Sequence, residues 1–290
     1  MQTPSGQVAA GTGVFGAAIQ GQRSEQQDSF RSIWLAAEQG WLLIIADGMG
    51  GHSAGGMASR IAADSFVDAF TSSRARKMDL QPALQAALDH ANSQIAKAQA
   101  ASPEFTGMGT TLVAVYISPS NLGWISVGDS PFWLLQNGKL LRLNEDHSLR
   151  AVAREGAKVS GSILRSVLNG EPIPLIDCQV PGPPPGARNV LLLASDGLLT
   201  LQENEIATEA ARNAGNGPEA VTRSLLKAVE DRGKPKQDNC TIVVAFPPES
   251  IAPAVAAAAP VKAAKKKGGG LLLTIIVVAA IAFGVWAWLF

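Results

Sequence analysis

Cysteine, histidine and tyrosine are scarce in this chain: two, three and one among 290 residues. Cys178 and Cys240 are neither CxxC-spaced nor numerous enough for a disulfide framework, so a reducing cytosol is the simplest compartment. Net charge is missing as well. The formal charge is zero, and residues 1–250 hold 20 basic against 24 acidic groups, a net of −4. That balance argues against broad nucleic-acid binding by the globular part, which would need a basic face. No lysine follows the glycines of DGMGGHSAGG, so they do not make a phosphate loop, which needs GxxxxGK[ST]. No internal repeat of fixed period is present. The first residues, MQTPSGQVAAGTG, lack a basic start and an apolar centre, so no signal peptide is expected.

What the chain does have is one long apolar run. Residues 271–290, LLLTIIVVAAIAFGVWAWLF, carry no charge, and as a helix they would span about 30 Å, one bilayer core. Lys265, Lys266 and Lys267 stand just before the run, and Trp286 and Trp288 lie near its far end, as interfacial anchors do. A transmembrane helix is expected, with the lysines and everything before them on the cytoplasmic side. A buried core helix is the alternative, disfavoured by the charge-free length and the KKKGGG flank. Residues 247–270, rich in Pro, Ala, Lys and Gly, read as a linker reaching about 25–30 Å. The expected organisation is one soluble domain over residues 1–246, the linker, and a tail anchor over 271–290.

Within the domain, residues 41–46, 110–117, 122–127, 190–194 and 241–246 are short apolar runs of strand composition. Residues 131–135 and 139–143 flank Asn137-Gly138, a hairpin signal. Residues 54–70, 82–100 and 218–230 have helical composition. Many strands joined by turns, with helices grouped rather than alternating, favour an α+β or sandwich arrangement over a doubly wound sheet.

The apolar runs end repeatedly on aspartate. IIADGMGG (44–51) and VLLLASDGLL (190–199) carry Asp47-Gly48 and Asp196-Gly197; Gly128-Asp129 follows LGWISV, Asp238-Asn239 precedes TIVVAF, and Asp28 lies in QRSEQQDSF. If these ends converge, the carboxylates repel and cannot all stay ionised without a cation. Oxygen donors without Cys or paired His suit Mg²⁺ or Mn²⁺ rather than Zn²⁺. Two such ions about 3.5–4 Å apart can activate a water and clamp a phosphoryl group. Spacing alone leaves open that these are five unrelated turn aspartates.

The order of the motifs is more specific. QRSEQQDSF, IIADGMGGHSAGGMAS, GMGTTLVAV, SVGDSPFWLL, LNEDHSL, VLLLASDGL and QDNCTIVVA, spread over residues 23–246, resemble the metal-dependent protein phosphatases of type 2C, the PPM family, in its bacterial form. The resemblance implies a central β-sandwich of two antiparallel sheets flanked by helices, with a two-metal site at one edge. It implies hydrolysis of phosphoserine and phosphothreonine by direct attack of a dimetal-bound water, without a phosphoenzyme.

Carried over by position, Asp47 matches the bridging aspartate and Gly48 a main-chain carbonyl ligand of the second metal. Asp196 and Asp238 match the other carboxylates of the first metal. Asp28 matches the acidic residue holding metal-bound waters, and Asp129 a ligand of a third, weaker metal, shared with Asp196. Asn239 is expected to orient Asp238. Arg23 matches the phosphate-binding arginine and His52 the histidine that protonates the leaving oxygen. His90 reads as a surface residue, and His147 as a structural hydrogen bond rather than a ligand.

The sequence departs from the pattern at Gln27, where many members carry Glu, at Pro131, where arginine is usual, and over residues 154–170, where the flap is short. The implied partners are phosphorylated proteins, a cognate serine/threonine kinase and its substrates, with no nucleic acid. Three readings compete: a pseudophosphatase acting as a membrane-tethered binding module, a nucleotide binder and a membrane scaffold. The first predicts loss of metal ligands, yet Asp47, Asp196 and Asp238 are all present.

Overall fold

A computed structural model describes residues 13–51, 53–152, 163–186 and 189–247. The chain runs through strands β1 (Val14–Ile19), β2 (Asp28–Leu35) and β3 (Gly40–Met49), then helices α1 (Ala54–Ala75) and α2 (Leu80–Ala101). Strands β4 (Gly109–Thr110), β5 (Leu112–Ile117), β6 (Leu122–Val127), β7 (Phe132–Gln136) and β8 (Lys139–Arg142) follow, with a one-turn helix α3 (Leu149–Val152) after them. Strands β9 (Asp177–Gly182) and β10 (Val190–Ala194), helices α4 (Glu203–Asn213) and α5 (Pro218–Asp231), and strand β11 (Cys240–Ala245) complete it.

The strands make two sheets. One has the order β1-β11-β10-β7-β8; the other has the order β2-β3-β5-β6-β9, with β4 paired to β3. All the pairings are antiparallel. The apolar runs are continuous because the central strands are buried on both faces, and the alternation of a strand sends successive side chains to different layers. Leu43 and Ile45 of β3, Val113 and Val115 of β5, Leu191 and Leu193 of β10, and Val243 and Ala245 of β11 meet between the sheets. Leu42, Ile44, Ala114 and Tyr116 turn the other way, onto α1 and α2. Leu192, Ala194, Ile242 and Val244 turn onto α4 and α5. Each such side chain, fully buried, stabilises the fold by about 1.5–3 kcal/mol.

The helix layer over the larger sheet is built from small residues at helical spacing, Ala54, Ala58 and Ala62 on α1 against Ala83, Ala87 and Ala91 on α2. Further along α1, Phe66 stacks on Phe70, and Phe70 reaches Tyr116, the chain's one tyrosine. The Tyr116 hydroxyl donates to Glu38 Oε2 at 2.6 Å, and Arg74 donates to both oxygens of the same carboxylate.

The expected α+β architecture of two antiparallel sheets flanked by helices is what the described residues form. Differences are local. The expected strand over 110–117 divides at Thr111, the helix over 54–70 continues to Ala75, and β1, β2, β9 and α4 are additional. Asn137 and Gly138 both have positive φ, +51° and +73°, which is the turn that closes β7 onto β8. Among the described residues no helix is long and apolar enough to cross a membrane. All of the linker but its first residue and the whole expected anchor, residues 248–290, lie outside the described residues, as does the first half of the short flap, 154–162.

Candidate active site

The interior-facing series of several strands stops being apolar at one end of the sandwich. On β2 the series runs Phe30, Asp28; on β3 it runs Leu43, Ile45, Asp47; on β11 it runs Ala245, Val243, Thr241. The same alternation continues past β5 from Val113 to Thr111 and past β10 from Leu193 to Ser195. A hydrophobic interlayer thus ends in a polar layer, and the predicted residues gather there.

Asp28 and Asp47 are direct cross-strand partners. Like charges in that relation oppose one another. Asp28 is 9% exposed, and burial pushes its carboxyl up to about 6, while hydroxyls of Thr241 and Ser195 pull in the other direction. Those hydroxyls belong to the opposite sheet: Ser195 Oγ and Thr241 Oγ1 each donate to Asp28 Oδ2 at 2.7 Å. Asp28 Oδ1 is buried and receives no hydrogen bond. Asp47 is driven well above the usual carboxylate range, first by desolvation and then by the charges of Asp28, Asp196, Asp129 and Asp238. The charges of the other four aspartates therefore all bear on Asp47.

The main chain holds Asp47 through the GMGTT segment. The Asp47 amide donates to Thr111 Oγ1 at 3.1 Å, and its carbonyl accepts from the Thr111 amide and Thr110 Oγ1, both at 2.9 Å. Thr111 Oγ1 also meets Ser130 Oγ at 2.8 Å, tying β3 to the loop that carries Asp129. That loop is fixed from the other side by LNEDHSL. Asn144 accepts from the Phe132 amide and donates to Ser130 O, and His147 Nδ1 accepts from the Gly128 amide at 3.3 Å. His147 is 2% exposed and burial holds its imidazole below the ordinary range, so it has the structural role expected of it.

Both Asp-Gly pairs need their glycine for clearance. A Cβ on Gly48 would run into the Gly55 carbonyl and stand 2.7 Å from Gln27 O; on Gly197 it would run into the Asn239 carbonyl. Gln27 joins the same corner: its carbonyl accepts from the Gly48 amide at 3.2 Å and from Ser59 Oγ at 2.6 Å, and its side chain lies over Gly55.

Arg23 and Asp238 come together, with the guanidinium nitrogen 2.5 Å from Asp238 Oδ2. The hydrogen bond to Asp238, with the charges of Asp238, Asp196 and Asp47, raises the guanidinium further, against the pull of burial. Asn239 meets Asp238 by a different atom than its side-chain amide. It holds Asp238 through its main chain, the Asn239 amide donating to Asp238 Oδ1 at 2.9 Å, while its side chain donates to Gln20 O and Glu25 O and accepts from the Gln27 amide, holding the loop on which Arg23 stands. Gln237, 4% exposed, does the bracing near Asp238, donating to Gly197 O and Asp238 O. Nothing in the sequence marks Ser195, Thr241, Thr111 and Gln237, although all four sit inside the quoted motifs. Pro131 keeps a use, its carbonyl accepting from the Ala194 amide at 3.0 Å. His52 lies outside the described residues.

The donor set suits a hard divalent cation: oxygen atoms alone, an orphaned carboxylate oxygen on Asp28, and an Asp47 charge opposed by four others. The set is not closed. Among the described residues no three Asp, Glu, His or Cys side chains form a finished group of ligands, and Asp238 is engaged by Arg23. Binding an ion would relieve the repulsion and draw on Asp238 in exchange for Arg23.

Comparison with known proteins extends this geometry. Residues 15–214 match the family described as Protein phosphatase 2C. The serine/threonine phosphatase stp of Listeria monocytogenes serotype 4b (strain F2365) is 31% identical over 214 residues, 70% of this chain and 83% of that protein. The crystal structure of the Mycobacterium tuberculosis serine/threonine phosphatase PstP/Ppp superposes with a TM-score of 0.68 at 26% identity, covering 81% of this chain and 97% of that one. The catalytic domain of PstP in complex with two manganese ions gives a TM-score of 0.65 at 28% identity, covering 80% and 96%.

Proposed function

Because the chain belongs to the protein phosphatase 2C family, and is thereby a protein-serine/threonine phosphatase, we propose that it hydrolyses phosphoserine and phosphothreonine with Mn²⁺ or Mg²⁺ held at the aspartate-rich end of its sandwich. The observation that carries this reading is the convergence of Asp28, Asp129, Asp196 and Asp238 on the charge of Asp47. Asp47, Asp196 and Asp238 are the carboxylates that would hold two ions, with the Gly48 carbonyl beside them; Asp129 would serve a third. When bound, the ions supply positive charge toward the phosphoryl oxygens and lower the pKa of water.

The chain's own residues supply the rest. Arg23, 54% exposed at its side chain and already at the edge of the aspartates, is placed to fork onto two phosphate oxygens once Asp238 turns to a cation. Asn239 and Gln237 keep the loops of Arg23 and Asp238 in register with each other. His52 is assigned the protonation of the leaving seryl or threonyl oxygen, a task for a group titrating near neutrality.

The apolar run at 271–290, with Lys265–Lys267 before it, supports a tether that keeps this domain at the cytoplasmic face of a membrane. Tethering raises the effective concentration toward membrane-bound substrates, and a membrane serine/threonine kinase with its phosphorylated targets is the partner that fits. The deciding experiment compares hydrolysis of phosphoserine, phosphothreonine and phosphotyrosine peptides by the wild type and Asp47→Ala, with Mn²⁺ and with chelator. Mn²⁺-dependent release of phosphate from the first two, lost in the variant, supports the reading; equal hydrolysis in chelator overturns it. A chain that binds Mn²⁺ yet releases no phosphate would instead be a tethered binding module.

A further inference from the structure

Two hydroxyls in the polar end layer have no part in the reaction as described, and both are wholly buried. Ser195 follows β10 and Thr241 is the second residue of β11; each has 0% exposure. They belong to one sheet, and the oxygen they share, Asp28 Oδ2, belongs to the other. The two are also linked to each other, since the Thr241 amide donates to Ser195 Oγ at 2.9 Å. The Ser195 oxygen thus accepts from that amide while its proton is donated to Asp28 Oδ2. Thr241 points its Oγ1 proton to the same atom.

We propose that Ser195 and Thr241 are positioning residues for the divalent-cation site, clamping Asp28 Oδ2 from the opposite sheet so that Oδ1 is the oxygen left for the ion's hydration shell. This rests on the metal-dependent reading of the site. Three observations carry it. Asp28 Oδ1 has no hydrogen-bond donor although it is buried. The Asp28 carboxyl lies within hydrogen-bonding reach of Asp47, the residue assigned to both ions. The position of Thr241 continues an interior face on which Val243 and Ala245 are apolar. A valine there would preserve shape and burial, so shape does not account for the hydroxyl. What the hydroxyl adds is one of two donors to Oδ2. Without it the carboxylate can turn, or draw a proton, and its free oxygen no longer faces the same way.

Such outer contacts set metal affinity over about 10–100-fold. The test uses the full chain, Mn²⁺ alone as the probe, and calorimetry for binding. Thr241→Val should bind Mn²⁺ about 10–100-fold more weakly than wild type, while Thr241→Ser, which restores the donor, should bind within about threefold of it. At saturating Mn²⁺ the turnover of a phosphothreonine peptide by Thr241→Val should approach the wild-type value, because the defect is in affinity. Wild-type affinity in Thr241→Val, or an equal loss in Thr241→Ser and Thr241→Val, overturns the proposal. If Thr241→Val does not fold, as judged by thermal unfolding in chelator, Ser195→Ala carries the same expectation and unchanged binding there overturns it. A wild-type chain that binds no Mn²⁺ at all defeats the metal reading itself, an outcome distinct from the others.

Discussion

Asp28 and Asp47 form the last pair of the β2–β3 ladder, two carboxylates directly opposite each other on the interior face of a sandwich. That position is unfavourable for the fold taken alone, and it becomes favourable when a cation stands between the strand ends. The balance between the two conditions gives the most direct test of the site.

Asp47→Asn should reverse the order of stability between two buffers. In chelator the variant loses a cross-strand repulsion worth about 0.2–1 kcal/mol and should melt about 1–4 °C above wild type. With Mn²⁺ at about 100 times its Kd, wild type gains about 2.7 kcal/mol, roughly 5–10 °C, and the variant gains little. Thermal unfolding in the two buffers reads both arms. A variant that melts below wild type in chelator would show that the two charges do not oppose each other.

Removing Arg23 should separate substrate binding from metal binding. Arg23→Ala loses charged hydrogen bonds to the phosphoryl group and should lower kcat/KM on a phosphothreonine peptide by about 10–100-fold. Arg23→Lys should recover little of this, since an ammonium cannot fork. Mn²⁺ affinity should hold or rise in both, because Asp238 is released from its ion pair. Steady-state kinetics and calorimetry on the same preparations decide it, and unchanged kcat/KM in Arg23→Ala would remove Arg23 from phosphate recognition.

The network of Glu38, Arg74 and Tyr116 predicts a pH dependence of stability far from the site. Burial pushes the Glu38 carboxyl up, but hydrogen bonds from Arg74 and Tyr116 outweigh it and leave the carboxyl below its ordinary 4.5. A depressed carboxylate contributes stability above its unfolded value and loses it as pH falls through the folded value. Glu38→Gln should therefore cost about 1–2 kcal/mol at pH 7. The gap to wild type should close progressively below pH 4.5. Denaturant titrations across that range measure it, and a gap that persists unchanged in acid would assign the effect to shape.

On the tethered reading, deleting residues 271–290 should move the protein from the membrane to the soluble fraction and leave peptide hydrolysis within about twofold, as separate domains joined by a linker behave. Fractionation and a peptide assay suffice. Activity that disappears with the segment would mean that the catalytic domain and the run are not independent.

Which parts of this structure could be read in the chain follows from burial. Strands β3, β5, β6, β10 and β11 show as unbroken apolar runs because helices cover one face and a sheet the other. Strand β1, VFGAAI, is short of large residues, and β2, DSFRSIWL, mixes polar side chains into an edge position, so neither stands out. Helix α4, ENEIATEAARN, buries only Ile206, Ala207 and Ala210 and reads as a polar stretch. Asp47, Asp129, Asp196 and Asp238 are legible because each stands at one end of an apolar run, whereas Asp28 opens the mixed strand β2. Ser195 and Thr241 are not legible, since their shared partner Asp28 lies 167 and 213 residues away and small hydroxyl residues carry no local sign of such a contact.

The two glycines at the strand ends bear on how finely the site is set. Gly48 lies against the backbone of Gln27 and Gly55, and Gly197 against that of Asn239. Main chain meets main chain at both places, like teeth of one gear seated in another. The spacing of Asp47 from Asp28, and of Asp196 from Asp238, is therefore metered by hard backbone contact rather than by side-chain rotamers. Rotamers wander by ångströms, whereas touching backbones barely yield. The carboxylates can swing, but the frame that carries them has almost no play.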